Sequence, residues 1–179
     1  MSLESIIQQV KVNGQNTPIP PVEDWNPDYC GEMDLIIKSD GSWFHEGTVF
    51  KRLALVKLLA SVLKKEASDY YLVTPVEKIK IRVENHPFVV TQWHWQENEG
   101  QRYLVCTTNL DEQFVVSENQ PVSINKDGEL SVIVRRNLCA TIHRNVYYQW
   151  IEEGHEETHD QQTAMCLTSG SYTFPIGYL

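Results

Sequence analysis

The chain has 179 residues, 41% of them hydrophobic and 22% charged, the proportions of an ordinary globular protein long enough for a real core. Its 15 lysines and arginines stand against 24 aspartates and glutamates, a formal charge of −9. That balance opposes nucleic acid and anionic membrane surfaces as partners, and no apolar run reaches the length of a membrane span.

Leu3 to Val10 reads as a short amphipathic helix. It carries Glu4 and two glutamines rather than the basic start of a secretion signal. Cys30, Cys106, Cys139 and Cys166 are widely spaced, without a Cys-x-x-Cys pair. The expectation is a cytoplasmic protein with reduced thiols acting as small buried hydrophobes. A proline-rich approach, Thr17-Pro18-Ile19-Pro20-Pro21, runs into Trp25 and Pro27. Pro18-x-x-Pro21 alone is weak evidence for a proline-recognition ligand, and a segment ending in Trp25 is expected to wrap over the core.

Asp40-Gly41 separates two strand-like runs, Leu35–Lys38 and Ser42–His45, and reads as a two-residue hairpin link because glycine accepts positive φ. Glu46-Gly47 closes the second strand, with Thr48 as the cap of a following helix. From Leu53 to Leu63 only Lys57 and Ser61 are polar, and with Lys64 and Lys65 they form one narrow wet stripe. Tyr70 to Val73 reads as a strand, interrupted at Thr74-Pro75. Ile79, Ile81 and Val83 then alternate with Lys80, Arg82 and Glu84, the pattern of a half-buried strand.

The Asp-Gly-x-Trp-Phe hairpin ending at Phe44 and the run from Leu72 to Lys78 (Leu-Val-Thr-Pro-Val-Glu-Lys) resemble an uncharacterised proteobacterial family, domain of unknown function 1285. Ile81-x-Val83-Glu84-x-x-Pro87-Phe88 fits it too, as do Pro21-Val22-Glu23-x-Trp25-x-Pro27 upstream, and Ser169-Gly170 with Phe174-Pro175-Ile176-Gly177 near the end. Val49, where proline or a small residue is usual, and Asn85, where aspartate is usual, depart from the pattern. The resemblance spans nearly the whole chain. It implies an α+β fold of repeated structural motifs and a link to signal transduction, and it assigns no chemistry.

Beyond Phe88, Val89–Gln96 and Tyr103–Thr108 read as strands joined by a polar turn, and Phe114–Ser117 and Val122–Asn125 continue the meander. Asp127-Gly128 repeats the earlier hairpin signal. Placing Asp40 on Asp127 brings Leu55, Leu59 and Leu63 onto Ile142, Val146 and Trp150, so a second helix is expected over Cys139–Trp150. Ala164–Thr168 and Tyr172–Ile176 would complete the second copy. The predicted architecture is α+β, with two sequentially related hairpin–helix–strand halves, residues 1–88 and 89–179, and mainly antiparallel sheets. Chance likeness of two Asp-Gly hairpins is the rival reading.

His155-Glu156-Glu157-Thr158-His159 is a literal His-Glu-x-x-His, which binds zinc when both histidines lie one turn apart on a helix. Here Gly154 precedes it and residues 152–162 offer no apolar face to seat a helix. A solvated acidic loop is the preferred reading, with no cofactor. His94 faces opposite to Trp93 and Trp95 on a predicted strand, and the acidic balance favours a half-buried sheet face over base stacking. Ser169-Gly170-Ser171 lacks the nucleophile-elbow frame, and Cys139 with His143 forms a helical i, i+4 pair best read as core.

Trp43 and His45 share one strand face, and Glu77-Lys78 sits in a turn suited to orienting a ligand's charge or to acid–base work. Thr74 and Glu77 bracing that turn is the structural alternative. These readings lead to a non-enzymatic ligand-binding or regulatory module, with Trp43, His45, Glu77 and Lys78 as candidate ligand-binding residues in a pocket between the halves. The small-molecule ligand is unnamed. A metal-assisted hydrolase using His155, Glu156 and His159, or a protein–protein adaptor using an exposed strand edge, are the alternatives.

Overall fold

The computed structural model describes residues 2–13 and 19–179, so Thr17 and Pro18 of the proline-rich run lie outside the described residues. The chain divides into two units, Met1–Asn85 and His86–Leu179. Among the described residues no helix is long and apolar enough to cross a membrane.

In the first unit, α1 (Leu3–Asn13) buries Leu3, Ile6 and Val10 and packs on α2 (Leu53–Ala60). A short 3-10 turn at Val22–Asp24 then seats Val22, fully buried, while Trp25 is half-buried. Six strands follow: β1 (Tyr29–Ile37), β2 (Trp43–His45), β3 (Thr48–Val49), β4 (Leu63–Glu66), β5 (Asp69–Val73) and β6 (Lys78–Val83). They form one sheet in the order β3-β2-β1-β6-β5-β4, in which β1 and β6 are the parallel pair and every other pair is antiparallel. Leu35, Ile37, Trp43, Leu72, Ile79 and Ile81 point to its core, each such side chain stabilising by roughly 1.5–3 kcal/mol.

Three local expectations are corrected here. The Asp40-Gly41 link is wider than two residues: Gly41 N–H donates to Lys38 O at 2.9 Å and Lys38 N–H to Ser42 O at 2.8 Å. Asp40 accepts from the Ser42 N–H at 2.9 Å and from its hydroxyl, which holds Asp40 in a type I turn and leaves Gly41 at φ 88 to rejoin the strands. Thr48 begins β3, because Glu46 and Gly47, at φ 50 and 79, make a tight hairpin turn of their own. The apolar run 53–63 splits into a helix ending at Ala60 and a buried strand starting at Leu63. Leu53 is therefore 47% exposed, whereas Val62 and Leu63 are fully buried. Apolar content alone does not separate a buried helix from a buried strand.

The second unit repeats that sheet. Its strands β7 (Phe88–Asn98), β8 (Gln101–Thr108), β9 (Gln113–Val115), β10 (Val122–Ile124), β11 (Leu130–Arg135) and β12 (Leu138–Ile142) are ordered β10-β11-β12-β7-β8-β9, again with one parallel pair, β12 with β7, at the centre. Each sheet is thus two three-strand meanders joined where the first strand of one lies parallel to the last strand of the other. After β12 come α3 (Arg144–Glu153) and a separate antiparallel sheet of β13 (His155–His159), β14 (Gln162–Ser169) and β15 (Tyr172–Tyr178).

The protein is α+β, with two related halves and mainly antiparallel sheets. Each half also carries a hairpin, a helix and further strands in that order. The residue-by-residue match of the helices does not hold, since Leu63 and Ile142 both lie in strands. Residues 138–142 pair with β11 and β7, and the helix starts only at Arg144, where the His143 ring accepts from Asn145 N–H at 3.2 Å as its cap. Cys139 and His143 are therefore no helical pair.

Candidate functional site

Trp43 is 1% exposed in the core of the first unit. His45, two residues on, is half-buried with its ring stacked on Phe50 at 6.2 Å. Thr74 N–H donates to Glu77 O at 2.8 Å, Glu77 N–H to the Thr74 hydroxyl at 3.0 Å, and Gln9 Nε2 to the Glu77 carboxylate at 3.0 Å. Glu77 thus braces its turn and ties α1 to it. Lys78 pairs with Glu66 and lies 4.5 Å from the centre of the Tyr71 ring, and Lys64 reaches the other Glu66 oxygen at 3.4 Å. The hydrogen bond from Lys78, with Lys64 adding to it, holds the Glu66 carboxyl below its ordinary range. Trp43 stands beside Ile37 and Lys78 beside Tyr29, at opposite ends of β1, a separation on the order of 25 Å. The four candidate residues do not share one site.

Lys80 pairs with Asp69 at 3.2 Å and Arg82 with Asp34 at 2.8 Å. The run Lys78-x-Lys80-x-Arg82 is accordingly a neutralised ladder and no open cationic patch.

His155, Glu157 and His159 lie on one face of the edge strand β13, which pairs with β14 and corrects the expected loop. His155 Nε2 and His159 Nε2 meet the two Glu157 oxygens at 2.8 and 3.2 Å. These contacts, that of His155 first, lower the Glu157 pKa. Alternation sends Glu156 to the opposite face, so the zinc-peptidase geometry is not formed. Among the described residues no group of three or more His, Cys, Asp or Glu side chains is placed to hold a metal ion.

Ser169 is buried, accepting from Leu104 N–H at 2.9 Å and donating to Val116 O at 2.6 Å. Its hydroxyl is fully committed to structure. On β7, Trp93 Nε1 donates to Gln149 at 2.7 Å and Trp95 Nε1 to Glu153 at 3.1 Å. Arg102 lies 3.9 Å over the Trp95 ring and pairs with Glu153 at 3.3 Å. These contacts hold one face of α3 against β7, while Val146 and Trp150 turn a second face into the core.

The third face of α3 borders a cleft of about 320 Å³ beside the Asp127-Gly128 turn, walled by Arg144, Tyr147, Tyr148 and Glu129 and floored by Leu130 and Ile142. Tyr148 is 55% exposed and its ring centre is 6.2 Å from that of Tyr147. No carboxylate lies within ion-pair distance of Arg144 among the described residues. Glu129 accepts from Asn125 Nδ2 at 2.9 Å, and Asn125 Oδ1 in turn accepts from the Asp127 and Glu129 N–H groups. Apolar walls with a few convergent polar groups are what small-molecule sites present. The sequence signal was Arg144-x-x-Tyr147-Tyr148, aromatics on a helix whose inward positions are Val146 and Trp150. Starting the helix at Cys139 placed Thr141 and Ile142 on it, whereas they line the cleft from strand β12.

Fold and cleft together define a two-unit α+β protein with a solvent-open, partly aromatic cleft in its second unit. The chain belongs to the DUF1285 family: residues 20–86 match "Domain of unknown function (DUF1285), N-terminal domain" and residues 87–176 match "Protein of unknown function (DUF1285), C-terminal domain". It is similar to a DUF1285 family protein from Silicibacter pomeroyi DSS-3, with 32% identity, a TM-score of 0.82, and coverage of 97% of this chain and 95% of that one. It also resembles a DUF1285 family protein from Shewanella baltica OS155, with 25% identity, a TM-score of 0.58, and coverage of 68% of this chain and 92% of that one. No curated protein matches the chain.

Proposed function

We propose that the protein is a small-molecule-binding module of regulatory kind, whose ligand occupies the α3 cleft of the second unit. The observation that carries this reading is the Arg144 guanidinium, which borders an aromatic-walled cleft with no acidic partner among the described residues, while Lys78, Lys80, Arg82 and Arg102 are all ion-paired. Binding is favoured over turnover because the groups that suggested chemistry have structural employment: Glu77 in its turn, Ser169 between backbone groups, and His155 and His159 on Glu157. The net charge of −9 supports a partner that is neither nucleic acid nor membrane. A signalling role would consist of a partner reading the occupied cleft.

A thermal-shift screen against a metabolite library tests the reading, run on the wild type and on Arg144→Gln with Tyr148→Ala. A ligand at about a hundred times its Kd stabilises by roughly 2.7 kcal/mol, a rise of about 5–10 °C for this chain length. The expected result is a hit that the double variant loses. Hits that the variant retains would place the site elsewhere.

A further inference from the structure

Resting on that reading, we infer that the ligand class is an aromatic monocarboxylate, with its ring packed against Tyr147 and Tyr148 in the cleft and its carboxylate on Arg144. Size comes first. A cavity of about 150 Å³ holds one benzene, so a cleft of about 320 Å³ takes one ring, or two fused rings, with an acidic substituent. Shape comes second: Tyr147 and Tyr148, tilted 45° to one another, both border the cleft, so a ligand ring can make offset or edge-on contacts with them. Leu130 and Ile142 supply an apolar floor.

Charge selects the substituent. A planar carboxylate matches the fork of Arg144 in two parallel hydrogen bonds. Glu129 stands on the same cleft, kept there by Asn125. Its charge opposes a second negative charge on the ligand, so a phosphomonoester dianion is disfavoured against a monoanion of equal ring size.

The probes are benzoate, nicotinate and indole-3-acetate, with benzamide as the neutral isostere, phenyl phosphate as the dianion and benzylamine as the cation. Each is titrated into the full chain while ring-labelled tyrosine resonances are followed by NMR. The carboxylates are expected to move Tyr147 and Tyr148 and to bind about tenfold or more tighter than benzamide, since a hydrogen bond to a charged group is of that size. Arg144→Gln should weaken benzoate about tenfold or more and so remove its preference over benzamide, and Glu129→Gln should selectively strengthen phenyl phosphate. If benzamide or benzylamine equals benzoate at these tyrosines, the carboxylate inference falls and the cleft reading stands. If phenyl phosphate binds more tightly than benzoate, the monoanion preference falls. If no probe moves Tyr147 or Tyr148, both the inference and the cleft reading fall.

Discussion

Ser169 on β14 and Leu104 on β8 are joined by one hydrogen bond, from the Leu104 N–H to the Ser169 hydroxyl at 2.9 Å, and the same hydroxyl donates to Val116 O. One buried side chain therefore links the small sheet of the second unit to its six-stranded sheet. Gly170 continues the link by donating to Arg102 O at 2.7 Å, and a Cβ there would meet the Tyr103 ring at 2.6 Å. Ser169→Ala leaves a buried N–H and a buried carbonyl without their partner, which costs about 2–3 kcal/mol. Urea unfolding should show this loss, and Gly170→Ala should lose a similar amount through the ring clash and its φ of +60°. A Ser169→Ala protein as stable as the wild type would refute the stitch.

Glu66 governs acid stability in the first unit. Its folded pKa lies below the ordinary 4.5, so its pairing with Lys78 and Lys64 stabilises the fold above about pH 4.5 and is lost as pH falls through the folded value. Glu66→Gln should lower stability at neutral pH and flatten the decline below pH 4.5. The carboxylate is 36% exposed, so half-molar salt should shrink the difference.

Thiol reactivity should divide the cysteines into two classes. Burial pushes the Cys106 pKa up to about 12, and burial together with Glu157 raises that of Cys166. Cys30 and Cys139 are only partly covered. A thiol reagent at pH 8 should label Cys30 and Cys139 in the native protein and reach Cys106 and Cys166 only on unfolding.

The His-Glu-x-x-His segment supplies a test of geometry. On a strand, residues four apart are separated by about 13 Å along the chain, against about 6 Å on a helix. Equimolar zinc should leave the unfolding temperature unchanged in the wild type and in a His155→Ala, His159→Ala variant. A rise of 5 °C or more confined to the wild type would restore a metal site.

The sequence carried the architecture better than its alignment. Asp40-Gly41 and Asp127-Gly128 form the same turn, with Gly128 N–H on Asn125 O at 3.1 Å as Gly41 is on Lys38 O. They nevertheless occupy different places in the repeated sheet: β1–β2 corresponds to β7–β8, whereas β10–β11 corresponds to β4–β5. Turn chemistry is local, and it does not report which meander a hairpin belongs to. Ile79 and Ile81 were legible as inward positions because strand alternation is strict. Residues 61–63 were not, because a helix and a buried strand are equally apolar there. The α3 cleft depends on where the helix begins, which His143 decides by capping. Neither Trp43 nor Lys78 carries a sequence signal for the length of β1 that separates them.

The most direct test of the cleft is the ring-labelled tyrosine spectrum of the protein against a fragment library, in wild type and in Arg144→Gln. Hits are expected to move Tyr147 and Tyr148 together, and Arg144→Gln to weaken the acidic ones. Hits that instead move Tyr29 and Tyr71, whose rings meet at 6.3 Å in the first unit, would contradict it.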